Sequence, residues 1–252
     1  MIKTVPFRKL ALAAAIAPLA LGLAACKQEA STPGAATGEP IARIAPPAGK
    51  SWADVVSQTP EGGYLMGNPE APIKLLEFGS YTCSHCAEFA EKGDAELRDT
   101  FVASGRVSFE LRNFVRDGLD VTIAQLARCG APETYFALSE QAFGNQKAMF
   151  ERVQAQGAAL EAAMNAPPAQ RGLAVADAAG LIDFFAARGI SRDQAATCLA
   201  NTAQASQLVD RTQKDAEQYK IEGTPTFLIN GTKFDGNTWE AVKAELERLG
   251  AR

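Results

Sequence analysis

Apolar residues arrive in short blocks separated by turn signals, and the period of each block predicts its element. After the turn dipeptide Asn68-Pro69, the nearly continuous apolar run Ile73 to Phe78 predicts a strand covered on both faces. Residues 84–104 carry Phe89, Leu97 and Phe101 along one helical stripe, and Val107-Ser108-Phe109-Glu110-Leu111 alternates as a second strand does. Strand, helix and strand at this spacing form a βαβ unit with a right-handed crossover. From Asp120 to about Ala203 the helical period dominates. Asp120 is expected to cap a helix through Cys129, and Pro132-Glu133 to open one carrying Tyr135, Phe136 and Leu138. Val175 to Arg188 reads as a further helix, and Ser191-Arg192-Asp193-Gln194 as a capping box for a short one containing Cys198. A long helix from about Ala205 to Tyr219 leads to Thr226–Ile229, where Asn230-Gly231 signals a type I′ hairpin. Glu240 to Leu249 closes the chain as an amphipathic helix. This order predicts an α/β fold with a helical insertion at about 120–203.

The first residues read differently. Lys3, Arg8 and Lys9 precede the apolar stretch Leu10 to Leu23, the pattern of an export signal. Leu23-Ala24-Ala25-Cys26 resembles the lipobox of bacterial lipoproteins, which implies cleavage before Cys26 and lipidation of its sulfur. An uncleaved anchor is disfavoured, because the stretch is short and rich in Ala for a spanning helix. Ala, Pro, Gly, Ser and Thr then dominate to about Lys50, a composition that cannot offset its own ordering entropy. The expected division is a signal peptide at 1–25, a flexible tether at 26–55 and one domain at 56–252. A tether of about 24 residues has a reach on the order of 25–30 Å.

Charge excludes some functions. The chain holds 25 Lys and Arg against 29 Asp and Glu, and the leader carries three of the basic residues. With no basic tract, nucleic acid is not an expected partner.

The chemistry concentrates at Cys83-Ser84-His85-Cys86, which directly follows the first strand and starts the first helix. Two cysteines one helical turn apart form a redox-active dithiol. The helix N-terminus favours a thiolate on Cys83, and the protonatable His85 is expected to add to this. Half a zinc site is the competing reading, but the chain has one histidine and no second close cysteine pair. Cys83 is assigned as the exposed, nucleophilic sulfur and Cys86 as the buried resolving one. Glu77, a lone acid in an apolar strand, is a candidate proton carrier or a solvated strand-end carboxylate. Cys129 and Cys198 remain. In an oxidising compartment they are expected to pair as a structural disulfide, two buried free thiols being the alternative.

Ser80-Tyr81-Thr82-Cys83-Ser84-His85-Cys86, followed far downstream by Gly223-Thr224-Pro225-Thr226, resembles the DsbA branch of the thioredoxin superfamily. The resemblance implies a thioredoxin fold with a helical insertion, a cis-proline at Pro225 facing the dithiol, and substrate contacts at Thr224 and Pro225. It also implies that Glu77 lies beneath the dithiol and moves the proton on Cys86. Ser84 departs from the proline common in the branch, and Thr224 is shared with isomerase-type and several DsbA-like members, so it does not choose between oxidase and isomerase. The activity implied is a dithiol oxidase without cofactor or metal, facing the periplasm on a lipid anchor and acting as a monomer. Its implied partners are unfolded, thiol-containing envelope proteins and a membrane redox protein that reoxidises it. The alternatives are a reductase or isomerase of the same superfamily, or a non-catalytic copper- or peptide-binding lipoprotein. A copper carrier would want more His or Met than this chain supplies.

Overall fold

The computed structural model describes Met1 and residues 38–252. The expected signal peptide, the lipidation site Cys26 and the first part of the expected tether lie outside the described residues.

One mixed sheet organises the chain. Its strands are β1 (Val56–Gln58), β2 (Tyr64–Gly67), β3 (Ile73–Gly79), β4 (Val107–Asn113), β5 (Thr226–Ile229) and β6 (Thr232–Phe234), in the order β1-β2-β4-β3-β5-β6. The expected βαβ unit is present: β3 and β4 are parallel from Ile73↔Val107 to Gly79↔Asn113. Helix α1 (Ser84–Glu96), continued by one wide π turn at Leu97–Val102, makes the crossover. β5 runs antiparallel to β3 and turns into β6 through Asn230 and Gly231, whose φ values of 51° and 79° are those a type I′ turn requires.

The insertion is all helix: α2 (Gly118–Ala127), α3 (Tyr135–Gly144), α4 (Gln146–Ala155), α5 (Gly157–Met164), α6 (Pro168–Ala178), α7 (Leu181–Ala186) and α8 (Arg192–Leu199). Long α9 (Thr202–Tyr219) returns the chain to the sheet, and α10 (Trp239–Arg248) ends it. Three local expectations change. Asp117, not Asp120, caps α2, because its carboxylate accepts the Asp120 N–H at 2.9 Å while Asp120 itself is buried in the first turn. The helix expected over Val175–Arg188 breaks at Gly180, which takes the left-handed φ of 71° between α6 and α7. α9 begins three residues early because Asn201 caps it, accepting from the Gln204 N–H at 3.0 Å.

The larger differences lie near the N-terminus. β1 and β2, two strands that the sequence pattern did not predict, extend the sheet beyond β4. The second half of the expected tether is also bound. Gly38 and Ile41 donate backbone hydrogen bonds to the carbonyls of Arg248 and Gly250 at 2.8 and 2.9 Å. Ile44 donates to Ser104 at 3.0 Å, and the Trp52 indole donates to Ile44 at 2.9 Å. Residues 38–54 therefore form a strap over the end of α10 and the turn after α1, satisfying backbone groups that composition assigned to water.

Alternation along β3 sets the two faces. Ile73 and Leu75 point into the main core with Phe89, Phe109 and Val242, whereas Phe78 packs with Ile221 and Leu228 on the other side. α1 lies close on α10 because Gly93 has no side chain. A Cβ there would sit 2.8 Å from the Trp239 ring. Cys129, just after α2, and Cys198 in α8 are joined by a disulfide with Cα atoms 5.8 Å apart. Among the described residues no helix is long and apolar enough to cross a membrane.

Candidate active site

β3 ends at Gly79, and the loop Ser80–Thr82 delivers the chain to Cys83, the residue that caps α1 in extended conformation. The Ala87 N–H donates to the Cys83 carbonyl at 3.2 Å and closes the first helical turn. Cys86, one turn along, faces inward. Cys83 and Cys86 stand as free thiols, and Cys83, expected to be the exposed sulfur, is itself buried with the Thr224 carbonyl against it, 4% exposed beside 0% for Cys86.

The two thiols are pushed in opposite directions. Cys83 is lowered from 9.0 to about 5, first by a hydrogen bond from the Cys86 thiol and then, against the cost of burial, by Thr224 and the backbone N–H groups of Cys86 and His85. These donors hold a thiolate. When protonated, Cys83 instead donates to the Thr224 carbonyl at 3.0 Å. Cys86 is raised well above the ordinary thiol range by burial, by that same donated hydrogen bond and by the negative charge of Glu77. At neutral pH the pair is therefore one thiolate and one thiol, with the thiolate on the outer sulfur.

The Thr224–Pro225 bond is cis, and this loop places the Thr224 carbonyl against Cys83. The His85 ring differs from expectation. Its side chain is exposed, and the contribution of His85 that lowers Cys83 comes from its backbone N–H. Glu77 is 2% exposed, and its Oε1 has no hydrogen-bond partner among the described residues. This removes the solvated strand-end alternative. Gly79 makes its place, since a Cβ there would fall 2.8 Å from that oxygen. Burial, then the charges of Asp94 and Cys83, hold the Glu77 carboxyl well above the usual range.

Sequence reasoning missed how the insertion grips the loop before Cys83. Asp120, 1% exposed, accepts from the Ser80 hydroxyl at 2.5 Å, the Tyr81 N–H at 2.8 Å and the Arg116 N–H at 3.0 Å. The Thr82 hydroxyl donates to Asp117 at 2.9 Å. Gln146 of α4 donates to the carbonyls of Tyr81 and Cys83 at 2.8 and 2.9 Å, and the Tyr81 hydroxyl pairs with that of Ser139 in α3. Three insertion helices thus tie down a short loop whose polar groups would otherwise be buried unpaired. An acid inside the apolar run Leu119 to Ala124 was the one sequence signal of this. A cleft of about 740 Å³ opens beside Ser84, between α1 and the α3–α4 corner, with Glu88, Glu91, Glu140 and Lys147 on its walls. The chemistry available is thiol–disulfide exchange at Cys83, with Cys86 as the resolving group and Glu77 within electrostatic reach of both.

Comparison with known proteins places this geometry. The family model described as thioredoxin matches residues 59–248. The chain is similar to a protein-disulfide isomerase from Novosphingobium aromaticivorans, with 35% identity and a TM-score of 0.67 over 73% of this chain and 96% of that one. It shares its fold with Wolbachia pipientis α-DsbA1, at 20% identity and a TM-score of 0.60 over 75% and 90% of the two chains. A Rickettsia bellii protein provisionally named a protein-disulfide oxidoreductase is 21% identical over 188 residues, covering 75% of this chain and 64% of that protein. The chain thus spans less than two thirds of the length of that curated relative.

Proposed function

We propose that this chain, which belongs to the thioredoxin family, is a DsbA-like thiol:disulfide oxidoreductase that works chiefly as a dithiol oxidase on unfolded proteins of the cell envelope. The opposed ionisation of Cys83, near 5, and Cys86, far above the ordinary range, carries the reading. A substrate thiolate attacks Cys83 of the Cys83–Cys86 disulfide, and Cys86 leaves and takes up a proton. The substrate's second thiolate then attacks its own sulfur in the mixed disulfide and expels Cys83 as a stable thiolate. Easy departure of Cys83 favours release of an oxidised substrate over retention of a mixed disulfide. The Thr224 carbonyl and the cleft beside Ser84 supply a backbone acceptor and room for an extended substrate segment.

Equilibration of Cys83–Cys86 with glutathione tests the direction. An oxidase requires a potential clearly above that of thioredoxin, about −270 mV, and a value at or below it would assign a reductase. The relative named an isomerase keeps isomerisation as a second reading. Recovery of a scrambled-disulfide test protein faster than oxidation of its reduced form would select it. The reading includes export and attachment by lipid at Cys26, with reoxidation by a membrane redox partner. Intact mass of the cell-derived protein tests the anchor, because cleavage elsewhere without acyl chains removes it.

A further inference from the structure

Most side chains that fix the loop before the dithiol hold it upstream of the sulfur. Asp120 accepts from the Ser80 hydroxyl and the Tyr81 N–H, Asp117 accepts from the Thr82 hydroxyl, and Ser139 meets the Tyr81 hydroxyl. Among the described residues, only Gln146 reaches the backbone of Cys83 with a side chain. The two hydrogens of its amide nitrogen go to carbonyls on either side of Thr82, that of Tyr81 at 2.8 Å and that of Cys83 at 2.9 Å. Both partners only accept, so the nitrogen end of the amide is the one that fits there.

The bond to Cys83 falls where backbone geometry matters most. Cys83 is the N-cap of α1, extended at φ −98° and ψ 121°, and its carbonyl also accepts the Ala87 N–H that closes the first turn. A side chain at that position meets the first-turn N–H groups and the positive end of the helix only while the cap residue keeps its extended backbone. The Tyr81 carbonyl has no other hydrogen bond among the described residues.

The donor is itself held. Gln146 is 6% exposed and opens α4 directly after Asn145, the residue that ends α3 and starts α4. Phe143, just before this corner, packs its ring 4.8 Å from that of Tyr81, and Met149, just after it, is buried. The insertion therefore presents a fixed donor to the nucleophile's own peptide unit.

We propose that Gln146 is a positioning residue for disulfide exchange: by holding the Tyr81 and Cys83 carbonyls, it keeps the Cys83 sulfur aligned on the N-terminus of α1. The role deepens the oxidoreductase reading and rests on it. Gln146 moves no proton and acts only through the backbone of Cys83.

Gln146→Met keeps the length of the side chain and removes the donor. Thiolate absorbance of the reduced full chain across pH should show the Cys83 ionisation moved up by about half a pH unit or more, the size of a weakened cap. The constant for reduction of Cys83–Cys86 by glutathione at pH 7 should fall about threefold, the same half unit read as an equilibrium. A variant that loses stability in urea while both readings stay at wild-type values has lost only a structural contact, and overturns the proposal. Ser139→Ala loosens Tyr81 from α3 without removing the bond to the Cys83 carbonyl, and should leave both readings in place. Equal movement in Ser139→Ala would assign the effect to loop fixation at large and overturn the role of Gln146. Should Gln146→Met not fold, Gln146→Asn withdraws the amide by one methylene: the same upward movement supports the role and an unmoved titration refutes it. A wild-type chain that exchanges no disulfide with glutathione would sink the oxidoreductase reading itself, and the positioning role with it.

Discussion

Changing pH should separate the two thiols in one equilibrium measurement. In the reduced protein Cys83 ionises at about 5, against 9.0 for an ordinary thiol, while Cys86 stays protonated throughout the accessible range. Below pH 5 reduction takes up two protons with two electrons, and above it only one. The potential should therefore fall by about 59 mV per pH unit below the break and by about 30 mV above it. At pH 7 two pH units separate the medium from the Cys83 ionisation, so the thiolate stabilises the reduced form by about 2–3 kcal/mol, equivalent to about 60 mV. The sign follows from a depressed acid ionisation. The contribution is complete above the unfolded thiol value, still large at pH 7, and lost as pH falls through 5. Glutathione equilibria from pH 4 to 8, with thiolate absorbance read in parallel, measure both break and slopes. Thr224→Val, which removes a donor to the thiolate, should move the break upward. A single slope of about 59 mV per unit across the whole range would mean that Cys83 is not a thiolate at neutral pH, and would refute the account of the site.

Three further outcomes are expected. Replacing both Cys129 and Cys198 by Ala should lower stability by on the order of 4 kcal/mol in urea while leaving disulfide exchange intact, because their link closes a 69-residue span remote in sequence from the dithiol. Labelling of Cys129 and Cys198 by alkylating reagent without reductant would contradict that pairing. Asp120→Ala leaves the Ser80 hydroxyl and two backbone N–H groups buried without their acceptor, and should cost about 2–4 kcal/mol by chemical denaturation. Gly93→Ala should destabilise by about 1–3 kcal/mol, since the added methyl meets the Trp239 ring; a rise in melting temperature instead would show that helix propensity outweighs that contact.

What the sequence alone determined is what short-range physics encodes. The Cys83–Cys86 spacing at a helix start, the Asn230-Gly231 turn, the apolar run of β3 and the alternation of β4 each act within a few residues, and each stands in the structure as read. The cis bond at Thr224–Pro225 followed from a motif rather than from local pattern. Tertiary structure decided the rest. β1 and β2 are strands because β4 offers them an edge, and residues 38–54 are held because the ends of α10 and α1 leave carbonyls to accept their N–H groups. Asp120 reads as a cap in sequence and becomes a loop anchor only when α2 meets Ser80 and Tyr81 across 40 and 39 residues. The motif drew attention to the His85 ring, whereas the backbone N–H of His85 is the group that lowers Cys83, a contribution set by the first turn of α1 and not by the side chain. Burial and long-range hydrogen bonds set proton affinities, and neither exists until distant segments pack. The chain's composition therefore named the reactive sulfurs, and the folded surroundings decided which of them carries the charge.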